Sequence, residues 1–251
     1  MLLITAALAE ELHLVLELCR RPARVSCAGL RIIRAESGGD PIFLVKTGVG
    51  PANAAARVER LLSELHPSEM MTIGYAGALD PSLKVGDLVI PSQASLFGVD
   101  SRRLPLDELE FSGSWKPLRN ERLREAAARA GLSAYGGSLI TSPYIIGDPL
   151  QKKSLYRRFG ATAIDMESGS LARVAETRGI PYACARAISD DANDEFLAPL
   201  SYDPGSNPLN RALKVVSAGN WLKRYQDWKY RAAIARGTLR QFLSCYLQRL
   251  G

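Results

Sequence analysis

A chain of 251 residues with 47% apolar composition can bury one continuous two- or three-layer core, and it reads as one large α/β domain. The cysteines at 19, 27, 184 and 245 fall in no CxxC spacing, and His13 and His66 complete no zinc pattern. A reducing, cytoplasmic setting with no structural metal and no cofactor is therefore expected. The net charge of +6 is local, because residues 209–251 carry nine Lys or Arg against one acid, Asp227, while the rest sums to −2; a nucleic-acid footprint over the whole protein is not expected.

The opening MLLITAALAEELHLVLELC lacks a basic leading region, and Glu10 and Glu11 interrupt its apolar run, so it reads as mature structure rather than a signal peptide. Residues 2–7 predict a buried strand, and Leu12, Val15, Leu16 and Cys19 recur at helical spacing behind it. GLRIIRAE and PIFLVKT, joined by Ser37-Gly38-Gly39-Asp40, predict a hairpin. GVGPANAAARVERLLSELHP predicts a glycine turn and then an amphipathic helix with Pro51 near its first position, running to Leu65. Further strands are predicted at 70–75, 87–92, 136–142, 162–166 and 181–189, and irregular loops at 93–117 and 191–208. Strands that alternate with helices and lack a polar face call for a central, mostly parallel sheet covered on both sides. No stretch approaches the roughly 20 apolar residues of a spanning helix.

In open α/β sheets ligands bind beyond the carboxyl ends of strands. The polar residues expected there are Glu10 and Glu11, the Gly48-Val49-Gly50 turn, Gly74-Tyr75-Ala76-Gly77, Asp165-Met166-Glu167, and Arg186 to Asp191. Glu11 and Asp190 could converge as an acid and base pair for glycosidic cleavage through an oxocarbenium-like transition state. The plainer alternative makes Glu11 a helix N-terminal carboxylate and Asp190 the N-cap of a following turn. The 48–50 turn lacks the third glycine of a dinucleotide fingerprint.

AIDMESGSLARVAETRGIPYACARAISD, with IGYAGALDPSLKVGDLVIPS, TGVGPANAAA and ITAALAEEL, resembles the bacterial methylthioadenosine and adenosylhomocysteine nucleosidases. More widely it resembles the purine and uridine phosphorylases, over roughly residues 2 to 200. The resemblance implies a three-layer sandwich around a central mixed, mostly parallel sheet, acting on a nucleoside as a homodimer or higher homo-oligomer. Asp190 sits where the family's aspartate protonates N7 of the leaving purine, which requires a carboxyl kept neutral by burial in an apolar cleft. Glu167 matches the glutamate that holds the ribose hydroxyls, with Met166 under the sugar, and Glu11 the carboxylate that activates water. Arg186 would tie the carboxylates together, and Val49, Ile145 or Ile146, and Ser189 would line the base and sugar sites.

Water is favoured over phosphate as acceptor, because a phosphate site needs arginines. Hexameric phosphorylases carry an arginine and a serine where this chain has Thr72 and Tyr75, and Glu11 would repel the anion. A phosphate-dependent purine phosphorylase is kept as an alternative, as is a nucleoside-binding or membrane-associated module without catalysis. Two positions depart from the nucleosidases: Tyr75 replaces a serine and Asp165 a longer glutamate. The 93–117 loop departs too, so the 5′ substituent is not read from methylthioadenosine precedent.

Residues 1–208 therefore read as the catalytic domain and 209–251 as a basic helical extension interleaving Trp221, Tyr225, Trp228, Tyr230, Phe242 and Tyr246 with cations. It is either a pair of helices packing aromatics on the body or a surface helix touching anionic membrane peripherally. With DMES, the extension also resembles the hopanoid-associated nucleosidases, which implies adenosylhopane as the alternative, lipid-linked substrate.

Overall fold

The computed structural model describes residues 1–98, 109–116, 120–195 and 221–248. A mixed sheet runs in the order β2 (Arg20–Cys27), β3 (Leu30–Ser37), β4 (Asp40–Lys46), β1 (Leu2–Ala6), β5 (Glu69–Ala78), β11 (Ala163–Asp165), β10 (Ser138–Thr141), β7 (Gln93–Phe97) and β8 (Phe111–Trp115), and β12 (Tyr182–Asp190) leaves it to pair with β5 and β6 (Leu88–Val89). Along its centre, β1 (Leu2–Ala6) lies parallel to β4 (Asp40–Lys46) and to β5 (Glu69–Ala78). β12 (Tyr182–Asp190) runs parallel to β5, while β11 (Ala163–Asp165) meets the far end of β5 antiparallel. β5 thus has three partners, and the sheet forks at its C-terminal half.

Alternation along the strands separates two apolar faces. Leu3, Met70, Cys184 and Ile188 face α2 (Pro51–Leu61) and α5 (Ser168–Thr177), where they meet Ala54, Val58, Leu61, Leu171 and Ala175. Leu2, Ile4, Met71 and Ile73 face the other layer, formed by α1 (Ala9–Leu16), α3 (Asn120–Arg129) and α6 (Trp221–Leu247). On that side β12 presents only Ala183, Ala185 and Ala187. These small residues leave room for the larger ones of α6, where Ala235, Leu239, Phe242, Leu243 and Tyr246 recur at three- and four-residue spacing as a buried stripe. The expected three-layer α/β sandwich is what forms.

β3 (Leu30–Ser37) and β4 make the expected hairpin, with Ser37 opposite Asp40. Gly50, at φ +99°, precedes α2, and Pro51 opens it; the helix ends at Leu61, four residues before the predicted stop, in a tightened turn. The 87–92 strand shrinks to β6 (Leu88–Val89), because Pro91 has no N–H to extend a ladder. The loop predicted at 93–117 contains a hairpin of β7 (Gln93–Phe97) and β8 (Phe111–Trp115), stacked through Phe97 and Phe111 at 5.1 Å; residues 99–108 lie outside the described residues. β2 (Arg20–Cys27) escapes prediction because it is an edge strand of mostly exposed residues with an irregular register. β9 (Ala134–Tyr135) is only two residues long.

Most of the loop at 191–208, and residues 209–220 of the extension, lie outside the described residues. Where the extension is described it is one helix, and its second half belongs to the core: Phe242 and Leu243 are buried, and Ser37 Oγ donates to the Leu247 carbonyl at 2.9 Å. Of its aromatics, Tyr230 is exposed and Trp228 half-buried, whereas the side chains of Trp221 and Tyr225 are outside the described set. Among the described residues no helix is long and apolar enough to cross a membrane.

Candidate functional site

A cavity of about 200 Å³ opens where β1, β5, β11 and β12 end. The eleven residues singled out in the sequence all line it. Glu11 comes from α1, Val49 from the turn before α2, Tyr75 from β5, and Ile145 and Ile146 from the approach to α4 (Pro149–Phe159). Asp165, Met166 and Glu167 come from the β11–α5 junction, and Arg186, Ser189 and Asp190 from β12. The Gly74–Gly77 block and Arg186 to Asp190 lie within β5 and β12 rather than beyond them, so both strands carry chemistry in their last turns of pleat.

Glu11 is 2% exposed and stands at the third position of α1. One carboxylate oxygen accepts the Leu8 N–H at 2.8 Å and the other the Tyr75 N–H at 3.2 Å. The helix-terminal reading of Glu11 is therefore correct and coexists with its place in the pocket. Burial pushes its carboxyl up to about 7, against the pull of the Arg186 guanidinium and the two backbone donors. A group that exchanges its proton near neutrality has the property a general base needs.

Arg186 is 1% exposed and tethered on every side. Its Nη2 lies 2.7 Å from Asp165 Oδ2 and 3.8 Å from Glu167 Oε2, Nε and Nη2 donate to Ser168 Oγ, and Nη1 donates to the Ile73 carbonyl at 3.2 Å. Burial alone would lower its pKa, but Asp165, Cys184, Glu167 and Glu11 together hold it protonated. Asp165 is also taken up in structure: its Oδ atoms accept Thr141 Oγ1 at 2.5 Å and the N–H groups of Glu167 and Ser168, capping the start of α5. Glu167 is less committed. It accepts the Gly50 N–H at 2.9 Å, and burial pushes its carboxyl up to about 8, with Arg186 opposing and Asp165 adding to the rise.

Asp190 is 4% exposed, but its surroundings are not the purely apolar cleft expected from sequence. Lys152 Nζ donates to Oδ2, and Ser189 Oγ donates to Oδ1 at 2.7 Å. Nor does Asp190 cap the turn after it. That turn is organised by Asp194, whose Oδ2 accepts the Asp191 N–H at 3.0 Å.

The glycines of β5 explain the closeness of these groups. A Cβ on Gly74 would stand 2.6 Å from Glu11 Oε1 and closer still to Arg186 Nη1; one on Gly77 would stand 2.8 Å from Asp190 Oδ2. Only glycine lets the strand pass both carboxylates. Tyr75 meets Glu11 through its backbone N–H, and its half-buried ring packs on the α6 side of the sheet. Thr72 is not in the pocket and bonds Thr5 Oγ1 at 2.8 Å inside the core.

Sequence reasoning missed Lys152, Leu8, Tyr144 and the α6 residues Trp228 and Ala232, the last four of which line the pocket. Lys152 had a signal, since it shares a helix face with the buried Leu155, three residues on. Trp228 had none, because its place depends on how the extension returns to the body.

A doubly covered mixed sheet that gathers buried carboxylates around one buried arginine at its strand ends has the architecture of the nucleoside phosphorylases and nucleosidases. The chain belongs to the phosphorylase superfamily, whose family model matches residues 2–214. A 5′-methylthioadenosine/S-adenosylhomocysteine nucleosidase of Staphylococcus aureus is 28% identical over 208 residues, covering 80% of this chain and 90% of the relative. Among solved structures, the nucleosidase of the same name from Neisseria meningitidis, in complex with methylthio-immucillin-A, superposes with a TM-score of 0.76 at 18% identity, covering 99% of this chain and 98% of that one. Futalosine hydrolase of Helicobacter pylori gives the same score and identity, covering 99% and 97%. At these identities the two structures speak for the fold.

Proposed function

We propose that the chain is a purine nucleosidase that hydrolyses the N-glycosidic bond of an adenosine-type nucleoside and releases adenine. In this reading Asp190 delivers a proton to N7, Glu11 positions and deprotonates the attacking water, and Glu167 with Met166 holds the ribose. The observation that carries it is Glu11, a buried carboxylate fixed by two backbone N–H groups with its pKa near 7, facing the same cavity as Asp190. Water is the acceptor. Among the described lining residues Arg186 is the only arginine, and its guanidinium is already committed to Asp165, Ser168 and the Ile73 carbonyl.

Adenine release from a panel of 5′-substituted adenosines in phosphate-free buffer tests the reading. The correspondingly 5-substituted ribose with a free anomeric hydroxyl is expected, and strict phosphate dependence would make the enzyme a phosphorylase. No product from any substrate would favour the binding module.

One observation favours a lipid-linked nucleoside of the adenosylhopane kind as a second reading. The pocket wall includes Leu8, Trp228 and Ala232, the last two supplied by the helix that carries the basic charge. Turnover of a 5′-alkyl adenosine well above that of methylthioadenosine would select it.

A further inference from the structure

Lys152 breaks two rules at once. Its side chain is fully buried, and it stands in the first turn of α4, four residues after the N-cap Asp148, where the helix dipole disfavours a cation. The local sequence leaves no freedom to avoid this. Asp148 accepts the Leu150 N–H at 2.9 Å and Pro149 follows at the first helical position, which together fix the register. Leu155, on the same face, anchors the helix in the apolar cluster beneath it. A buried ammonium persists only when it is paired and hydrogen-bonded. All three donors of Nζ are used: on Asp190 Oδ2, on the Asp191 carbonyl at 2.8 Å and on the Asp194 carbonyl at 3.3 Å.

Lys152 does not line the pocket, whereas Asp190 does. The lysine therefore stands behind the carboxyl and can act on a ligand only through it. Resting on the reading of Asp190 as the acid to N7, we propose that Lys152 is a positioning residue that stores the proton Asp190 hands to the leaving purine. Oδ2, the oxygen that Lys152 contacts, is also the one that lies against the bare backbone of Gly77 at the pocket wall.

The step balances with water as the only reactant consumed. As the C1′–N9 bond breaks, its electron pair moves into the purine; Nζ passes a proton to Oδ2, and Oδ2 passes one to N7. The purine leaves neutral, Lys152 is left an amine and Asp190 a carboxylate. Water adds its hydroxyl to C1′ and gives its proton to Glu11, which releases it to solvent, and a solvent proton restores the ammonium.

Among the described residues the charged groups around the pair are few. Asp191 Oδ1 is occupied by the Val85 N–H at 2.7 Å, with Lys84 3.8 Å from its other oxygen, and Asp194 Oδ2 is held by Arg231 of α6 at 2.7 Å. Across the cavity stand Glu10, Glu11, Glu167, Asp165 and Arg186.

An ordinary ammonium holds its proton about six pH units further into the alkaline range than an ordinary carboxyl. The test is the pH profile of the single-turnover cleavage rate. In the wild type the alkaline limb is expected above pH ~9, and in Lys152→Met at least ~2 units lower, with KM changed less than ~3-fold. Lys152→Arg keeps the charge but cannot give up a proton, so the rate is expected to fall at least ~100-fold without rescue. A wild-type limb below pH ~8 overturns the proposal even if neither variant folds. So does an unmoved limb in Lys152→Met, or full rescue by arginine, while Asp190→Asn is inactive. An Asp190→Asn variant with wild-type turnover instead sinks the parent assignment of the acid.

Discussion

Replacing Glu11 with glutamine separates the cost of the buried carboxylate from its use. The carboxyl rises from 4.5 to about 7 on folding, so between those values the unfolded chain ionises while the folded one keeps its proton. Stability therefore falls as pH rises through this window, by about 3 kcal/mol in all, and the full penalty is present above pH ~7. Glutamine has no charge to desolvate. Its carbonyl can still accept the Leu8 N–H, but its NH2 would face the Tyr75 N–H, donor to donor, which costs about 1–2 kcal/mol at every pH. The variant should thus be less stable than wild type at pH 5 and more stable at pH 8. The difference should swing by about 2–3 kcal/mol, or roughly 5–10 °C in Tm for a chain of this size. Turnover at pH 8 should fall by ~100-fold or more, and the acid limb of kcat/KM near pH 7, which marks deprotonation of Glu11 in the free enzyme, should vanish. Thermal unfolding by circular dichroism at both pH values and adenine release measure the two halves. A stability difference that stays constant with pH would refute the burial argument, and turnover within tenfold of wild type would remove Glu11 from catalysis.

Gly74→Ala should lower the cleavage rate sharply and destabilise the fold by about 1–3 kcal/mol, because the added Cβ meets Glu11 Oε1 at 2.6 Å; an alanine variant with wild-type rate would show that the approach of β5 is not constrained. Truncation at Pro208 should yield no folded protein, since it removes Leu239, Phe242 and Leu243 from the core, and a cooperative melting transition in the truncated chain would contradict this packing. If the exposed basic face of α6 seats on membrane, the intact protein should sediment with anionic vesicles at low salt and release above physiological strength, each cation contributing about 1 kcal/mol; recovery in the supernatant at every salt concentration would leave α6 with packing alone.

The strands with one residue type per face were the legible part of the fold. Leu2, Leu3 and Ile4, or Ala183, Cys184 and Ala185, are apolar on both faces because helices cover both, and their runs are visible without context. β2 was illegible because an exposed edge strand has no alternation to show, and β6 because a proline cuts it short. In the site, Glu11 and the β11–α5 and β12 blocks were legible, since their residue types are anomalous inside apolar runs. The partner of Asp190 was not found, because it depends on α4 crossing under the end of β12, a contact between residues 38 positions apart. The extension's charge and aromatics were plain in the sequence, but the same residues suit a membrane face or a core stripe, and only the alanines of β12 opposite them show that half the helix is packed.

The fork in the sheet has a consequence for how the protein loses activity. β5 is bonded to β1, β12 and β11, and the residues between Gly74 and Gly77 that brush Glu11 and Asp190 sit at the branch. β12 supplies the ladder for Gly74 to Gly77 and is itself a central strand buried along nearly its whole length, so their amides should exchange with solvent water only when the whole sheet opens. A site built at such a junction has no partly melted state of its own: on heating, the loss of turnover and the loss of the fold should trace one curve.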